Sequence, residues 1–490
     1  MPQFDSRLYV AAQVRELDRR AIEGHGIEGY LLMQRAAAAC WSVLRERFGR
    51  PRRITIVCGG GNNGGDGYEI ARLARAAGCE LRVLQVGDMP LRGDAQRAAA
   101  AWTDDGGLTE TFVQDVPASD CVVDAVFGTG LSRAPTDLAE RAIMAIKAAR
   151  RAGARVLAVD VPSGLDASTG AIPGICVDAD VTVSFIGNKL GLWTGRGPAV
   201  AGERCFDDLG VPADVHDGLV PIAQLQQATE VLSLGRRARD AHKGASGHVL
   251  IIGGNCGMAG AALLAGRAAL RAGAGLVSLA TRPEHAAALT AMQPELMVHG
   301  VAEPSALDPL LQRTSVVALG PGLGQDEWAR ALYAHVVADA RALVVDADAL
   351  NLLARLPRRR DDWVLTPHPG EAARLLQCSV ADVQRDRVAS VKALQQRYGG
   401  AVLLKGAGSL VSGECPVVCP YGNPGMAVAG MGDTLTGIVA ALRAQGLDAA
   451  AAARLGMLVH ARAGDMAAAD GERGLLPTDL LPAIRMLVNP

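Results

Sequence analysis

The chain has 490 residues, a formal charge of −2, 49% hydrophobic and 20% charged residues, and only 3% aromatics. At roughly 100–200 residues per domain, two large domains are expected, and the composition excludes a mostly disordered or collagen-like chain. With few aromatics and a near-neutral balance, no nucleic-acid partner is expected, although a local phosphate site stays open.

The ten Cys residues are scattered without a CxxC pair, which points to reduced thiols and a cytoplasmic location rather than a zinc site or disulfide framework. The first residues carry an early acid and no apolar h-region. Apolar runs fall short of the ~18 residues of a spanning helix, so no membrane partner is expected. A homo-oligomer is the default. The chain holds 44 Arg but five Lys, at 147, 189, 243, 392 and 405. Those at 189, 243 and 405 sit beside Gly-rich turns.

Residues 1–50 read as an Ala-rich helical start, with Leu17, Ala21, Leu31 and Leu32 among its apolar positions. Strands are then predicted at 53–59, 81–87, 121–127, 155–161 and 181–186, with helices at 66–77 and 138–152. This alternation is the βαβ signature of a mostly parallel sheet. Residues 210–240 break it with Pro212, Pro221 and a polar run, placing a boundary between 215 and 235 and domains at 1–220 and 230–490. A second series follows, with strands at 248–252, 276–280, 316–319, 342–345, 363–365 and 401–404 and helices at 261–272 and 434–444. The halves share a layer style but no repeat period, so the chain reads as a fusion.

In the first half, Cys58-Gly59-Gly60-Gly61-Asn62-Asn63-Gly64-Gly65-Asp66-Gly67 joins a strand to a helix. Its GxGxxG match is weak alone, because a tight turn capped by Asn and Asp gives the same string. Two further polar loops, 127–133 and 160–166, also follow predicted strands, and in open α/β sheets such loops form the ligand crevice. These segments resemble the NAD(P)H-hydrate epimerase family, whose GNNGGDG and DVPSG strings stand at 61–67 and 160–164.

That resemblance covers about 8–215. It implies a Rossmann-like domain interconverting the R and S forms of a nicotinamide cofactor hydrated at C6. Asn62, Asn63, Gly64, Gly65, Asp66, Gly128, Thr129, Gly130, Leu131, Ser132 and Arg133 would hold the ligand. Asn63, Asp124 and Ser163 would bind potassium. Asp160 is the candidate proton-transfer group, with Lys189 a weaker second and a turn cap or surface lysine the structural alternatives.

In the second half, Gly430-Met431-Gly432-Asp433-Thr434 precedes a helical pattern. The glycines admit close backbone approach, the helix start offers N–H groups to a phosphate, and Asp433 sits beside that anion hole as a base. Asp433 as a plain N-cap is the alternative. Ribokinase-like enzymes use this arrangement. Leu404-Lys405-Gly406-Ala407-Gly408-Ser409 could cradle a nucleotide, and the absence of GxxxxGK[ST] disfavours a P-loop enzyme. Thr366-Pro367-His368-Pro369-Gly370-Glu371 places a His between prolines at another strand end.

With 320–324, 346–350, 242–244 and 253–262, this half resembles the ADP-dependent NAD(P)H-hydrate dehydratases over about 232–488. The resemblance implies a ribokinase-like sheet, making two three-layer α/β/α domains. Ala262, Gly322 and His368 would contact the hydrated cofactor, Lys405, Gly406, Ala407, Gly408, Ser409 and Gly432 the nucleotide, and Asp433 would be catalytic. The implied substrates are NADH or NADPH hydrate and ADP, with Mg²⁺ held mainly by phosphates. The rival reading is a ribokinase-like small-molecule kinase carrying a non-catalytic N-terminal ligand-binding module. A dinucleotide dehydrogenase is a further rival for the first half, but Asn62, Asn63 and Asp66 crowd the loop that would meet a pyrophosphate.

Overall fold

Ile54, Thr55, Ile56, Val57 and Cys58 are buried one after another, as expected of a central strand covered on both faces. In the computed structural model, which describes residues 6–88, 90–131, 133–339 and 341–489, this strand sits centrally in the first of two units, Met1–Gln224 and Leu225–Pro490. The sheet of the first unit runs in the order Thr109–Thr111, Glu80–Gln85, Arg53–Cys58, Cys121–Ala125, Arg155–Val159, Val181–Phe185, Glu203–Asp207. All its pairings are parallel. Strand order therefore reverses between Arg53–Cys58 and Cys121–Ala125, and the loops after these two strands flank the switch point, where α/β sheets hold ligands. Alternate side chains serve opposite faces. Ile54 and Ile56 join Leu17, Met33 and Ile70 in one core, while Val57 joins Val122, Ile143 and Ile146 in the other.

The second unit has a parallel sheet in the order Ala401–Leu404, Trp363–Leu365, Ala342–Val345, Val316–Leu319, His248–Ile252, Leu276–Thr281, Met297–Gly300. Two short antiparallel strands, Leu410–Val411 and Val417–Val418, extend it beyond Ala401–Leu404. The helices Ala259–Arg271, Met431–Ala444 and Ala449–Ala467 contribute a large apolar core. Gly437 lets the second of these lie against the first, since a Cβ there would collide with the Ala265 carbonyl. Among the described residues no helix is long and apolar enough to cross a membrane.

Several element boundaries differ from expectation for physical reasons. The helical start resolves into Ala11–Arg19, a five-residue π-helical segment Arg20–Gly24, and Gly29–Phe48. The helix expected at 66–77 is Asn62–Ala76, with Gly61 as its extended N-cap. Gly64 and Gly65 thus lie in its first turn rather than in a loop. A Cβ on Gly64 would collide with the Gly59 carbonyl, and one on Gly65 would meet Met33 and Ala95. Likewise the helix expected at 434–444 begins at Met431, capped by Gly430 at φ +94°. Asp433 is therefore the third residue of a helix and not its N-cap. The strand expected at 121–127 ends at Ala125, freeing Val126 and Phe127 for the loop that follows.

Candidate functional site

Two sites form, one at the carboxyl edge of each sheet. In the first unit, Gly128 joins residues from three strand ends. A Cβ on Gly128 would lie 3.1 Å from Asn63 Oδ1 and 3.2 Å from Asp160 Oδ2. Gly60, Gly61 and Gly130 have no protein atom within 4 Å of where a Cβ would stand, so the crevice beside them is open. Asp160 adopts φ +68°, a left-handed conformation that Asp tolerates better than most residues.

Lys189, with its side chain 1% exposed, reaches Asp160 Oδ1 at 2.5 Å and donates to the Phe185 carbonyl at 2.7 Å. The Lys189 backbone is held in turn by a parallel bridge to Tyr9, with Leu190 N–H donating to the Tyr9 carbonyl at 3.0 Å. Two further carboxyls share the Lys189 charge. Burial pushes Asp18 up to about 6, with Lys189 opposing and Asp160 adding. Burial, then Asp160 and Asp18, lift Asp66 well above the carboxylate range.

Asp124 is fully buried beneath this loop. Its Oδ2 accepts from Ser163 N–H at 2.8 Å and its Oδ1 from Ser163 Oγ at 2.6 Å. Ser163 Oγ also accepts from Phe127 N–H at 2.8 Å. Burial raises the Asp124 carboxyl to about 6, with the bonds from Ser163 and Val126 pulling the other way. Asn63 Nδ2 is buried without a hydrogen-bond partner. Thr129 offers its carbonyl to Arg15 at 3.5 Å, Arg133 is exposed, and Ser132 lies outside the described residues.

In the second unit the organising group is Lys405. Its Nζ donates to Asp346 Oδ1 at 2.7 Å and lies 3.8 Å from Glu371 Oε2. Asp346 Oδ2 accepts from Thr436 Oγ1 at 2.7 Å, tying the strand end to the Met431–Ala444 helix. A Cβ on Gly432 would stand 3.3 Å from Lys405 Nζ, so the ammonium underlies the helix start. Asp433 is pushed up to about 6 by burial, then by Asp346, with Lys405 opposing and Asp348 adding. Glu371 is raised to about 7 by burial, against the pull of Lys405. Burial disfavours the Lys405 charge, but Asp346 and Glu371 outweigh it and raise its pKa.

The other expected residues take varied positions. His368 caps the helix Pro369–Leu376, its Nδ1 accepting from Gly370 N–H at 2.9 Å while its main-chain N–H donates to Glu371 Oε2 at 2.8 Å. The ring edge nevertheless remains half exposed. Ala262 is fully buried beside Gly254. Gly322, at φ +59°, offers its carbonyl to Asn255 N–H at 2.7 Å, knitting two loops of the site together. Within 405–409 the Lys405 side chain turns inward, while Gly406 and Ala407 are exposed.

Sequence reasoning assigned no role to Asp346, Glu371 or Thr436, although Asp346 and Glu371 stood in quoted strings just past strand ends. It also missed Arg387, which is 1% exposed and donates to the Leu404, Lys405 and Gly408 carbonyls at 3.2–3.4 Å, bracing the 405–409 loop. A lone Arg in a helix carries no motif. Among the described residues no group of three His, Cys, Asp or Glu is placed to hold a metal ion.

Comparison with known proteins gives two family matches: residues 29–191 match the YjeF-related protein N-terminus, and residues 249–486 match NAD(P)H-hydrate dehydratase. A bifunctional NAD(P)H-hydrate repair enzyme from Coxiella burnetii is 46% identical over 492 residues, covering 99% of each chain. The Escherichia coli protein of that description is 44% identical, covering 99% of this chain and 94% of its own. Among solved structures, a ribokinase-like superfamily protein from Enterococcus faecalis aligns with a TM-score of 0.51 and 28% identity, covering 54% of this chain and 94% of its own.

Proposed function

The chain belongs to the bifunctional NAD(P)H-hydrate repair enzymes, and from that premise we propose which of its residues carry each reaction. It epimerises the R and S forms of NAD(P)H hydrate and dehydrates the S form to NAD(P)H, converting ADP to AMP and phosphate. The observation that carries the residue assignment is that each unit has a buried lysine–aspartate pair at the carboxyl edge of its sheet, beside a Gly-rich helix start.

For epimerisation, Asp160 is the proton-transfer group. Lys189 occupies Oδ1 and leaves Oδ2 facing Gly128, where the loops meet. Proton transfer at the C6 oxygen lets that centre open and re-form on either face. Asn62–Asp66 and the 128–133 loop bind the hydrate.

Potassium fits Asn63, Asp124 and Ser163. These are hard oxygen donors around a buried carboxylate that hydrogen bonds, rather than a cationic side chain, hold down. The cation would offset the Asp124 charge and brace the Ser163 turn. Replacing tetramethylammonium by potassium is expected to raise the melting temperature by a few degrees, as for any ligand selective for the native state. Asp124→Asn should lose that increment, and an unchanged melting temperature in the parent chain would remove the assignment.

For dehydration, Asp433 accepts the proton of the C6 hydroxyl, whose oxygen attacks the terminal phosphoryl of ADP as the bond to AMP breaks. The C6–O bond then breaks with release of phosphate, and loss of the C5 proton forms the C5–C6 double bond. The N–H groups of Gly432 and Asp433 and the underlying Lys405 ammonium stabilise the transferred charge. Lys405–Ser409 and Gly432 hold the nucleotide, and Ala262, Gly322 and His368 line the hydrate position. Mg²⁺ accompanies the phosphates, because Lys405 already engages Asp346 and Glu371.

The test is a mixture of R and S NADH hydrates with ADP and Mg²⁺, followed by the absorbance of regenerated NADH. Conversion past the S fraction, faster than spontaneous epimerisation, is expected. A halt at the S fraction would reduce the first unit to a binding module, and a stable phosphate ester in place of free phosphate would make the second a kinase.

A further inference from the structure

The segment leading into the phosphate-binding turn is held by the helix Ala449–Ala467. Near the end of that helix, Asp465 Oδ2 accepts from Gly422 N–H at 3.0 Å, and Oδ1 accepts from Asn423 Nδ2 at 3.0 Å. Asn423 Oδ1 in turn accepts from Gly425 N–H at 3.0 Å. The neighbouring Gly464 lies so close to Met426 that a Cβ there would collide with the thioether. Beyond this anchor Ala427, Val428 and Ala429 are exposed, and the main-chain bonds there are local turns, such as Ala427 N–H to Pro424 O at 3.1 Å.

We propose that Asp465 is a positioning residue of the dehydratase, fixing the start of the 422–431 segment and thereby aiming the turn at Gly430–Gly432 and Asp433 at the transferred phosphoryl group. It does not touch the reacting atoms. The segment it holds is half exposed, whereas the helix after it is anchored independently by its packing on Ala259–Arg271. Loosening the segment therefore costs alignment more than fold. This rests on the dehydratase reading of the site.

The test compares Asp465→Asn and Asp465→Ala in the full chain, using pure S hydrate and ADP. Asp465→Ala is expected to lower kcat about 10- to 100-fold, the scale of a displacement near 1 Å at a reacting centre. Asp465→Asn retains an acceptor and should fall between. KM for ADP should stay within about 3-fold by the same reasoning, since alignment rather than binding is lost. Epimerisation by the same molecules is the internal control and should not change. A wild-type kcat in Asp465→Ala would overturn the proposal, as would a loss confined to KM or matching the unfolded fraction. If Asp465→Ala fails to fold, a wild-type kcat in Asp465→Asn overturns it equally. Absence of turnover in the unmodified chain would remove the dehydratase reading itself.

Discussion

Asp433→Asn is expected to abolish dehydration, with kcat falling by about 10³–10⁴-fold at the upper end of general-base effects, while ADP binding persists. The amide keeps the size of the carboxyl and loses its basicity, so the C6 hydroxyl attacks with its proton still in place. Burial and Asp346 hold the Asp433 carboxyl up to about 6. The ionised form is the active one, so turnover is expected to fall as pH drops through about 6 and to be insensitive to this group above it. Lys405 limits the shift: without its charge, Asp346, Glu371 and Asp433 would face one another uncompensated. The measurement is kcat against pH for the parent and for Asp433→Asn with pure S hydrate. Retained turnover in the variant, or a parent profile flat to pH 5, would remove Asp433 as the base.

The second large effect falls on epimerisation. Asp160→Asn should lower its rate by about 10²–10⁴-fold and leave dehydration of pure S hydrate unchanged. Asn is the appropriate variant because, like Asp, it tolerates the left-handed backbone at φ +68°, whereas Ala would add strain unrelated to chemistry. Lys189→Met probes the same pair from the other side. It removes the ion-pair partner of Asp160 and the charge that opposes the raised carboxyls of Asp18 and Asp66. Removal of one partner from a buried pair also costs about 3–5 kcal/mol, so the first unit should lose stability as well as rate. Interconversion followed by NMR of the two hydrates separates these effects. An Asp160→Asn rate equal to the parent's would remove its catalytic role.

The sheets were legible because their central strands are runs dominated by branched aliphatics, as at Ile54–Cys58 and Val249–Ile252. The sites were legible as loops, since Gly-rich strings at strand ends announce a crevice. Helix starts were less so. Gly64 and Gly65 resemble loop residues by type, but their lack of a side chain answers Gly59, Met33 and Ala95, contacts that exist only once the chain is folded. The same holds for the partners of the lysines. Asp160 and Lys189 are 29 residues apart in sequence and Asp346 and Lys405 are 59 apart, so their pairing is set by parallel strand order and not by any local pattern. Asp465 left no trace at all, because an Ala-rich amphipathic helix hides which of its polar residues face a loop.

The scarcity of lysine has a practical reading. An amine is acylated only when it is exposed and free of its proton, and of the chain's five lysines Lys189 in the first unit and Lys405 in the second are ion-paired at the two sites, while Lys147 pairs with Asp178 away from them. Lys243, by contrast, stands in solvent. Acylation at residue 189 therefore reports the opening of one crevice and at residue 405 the opening of the other, with residue 243 as the built-in standard. The chain carries its own two-channel reporter of local unfolding, one channel for each half of the repair reaction.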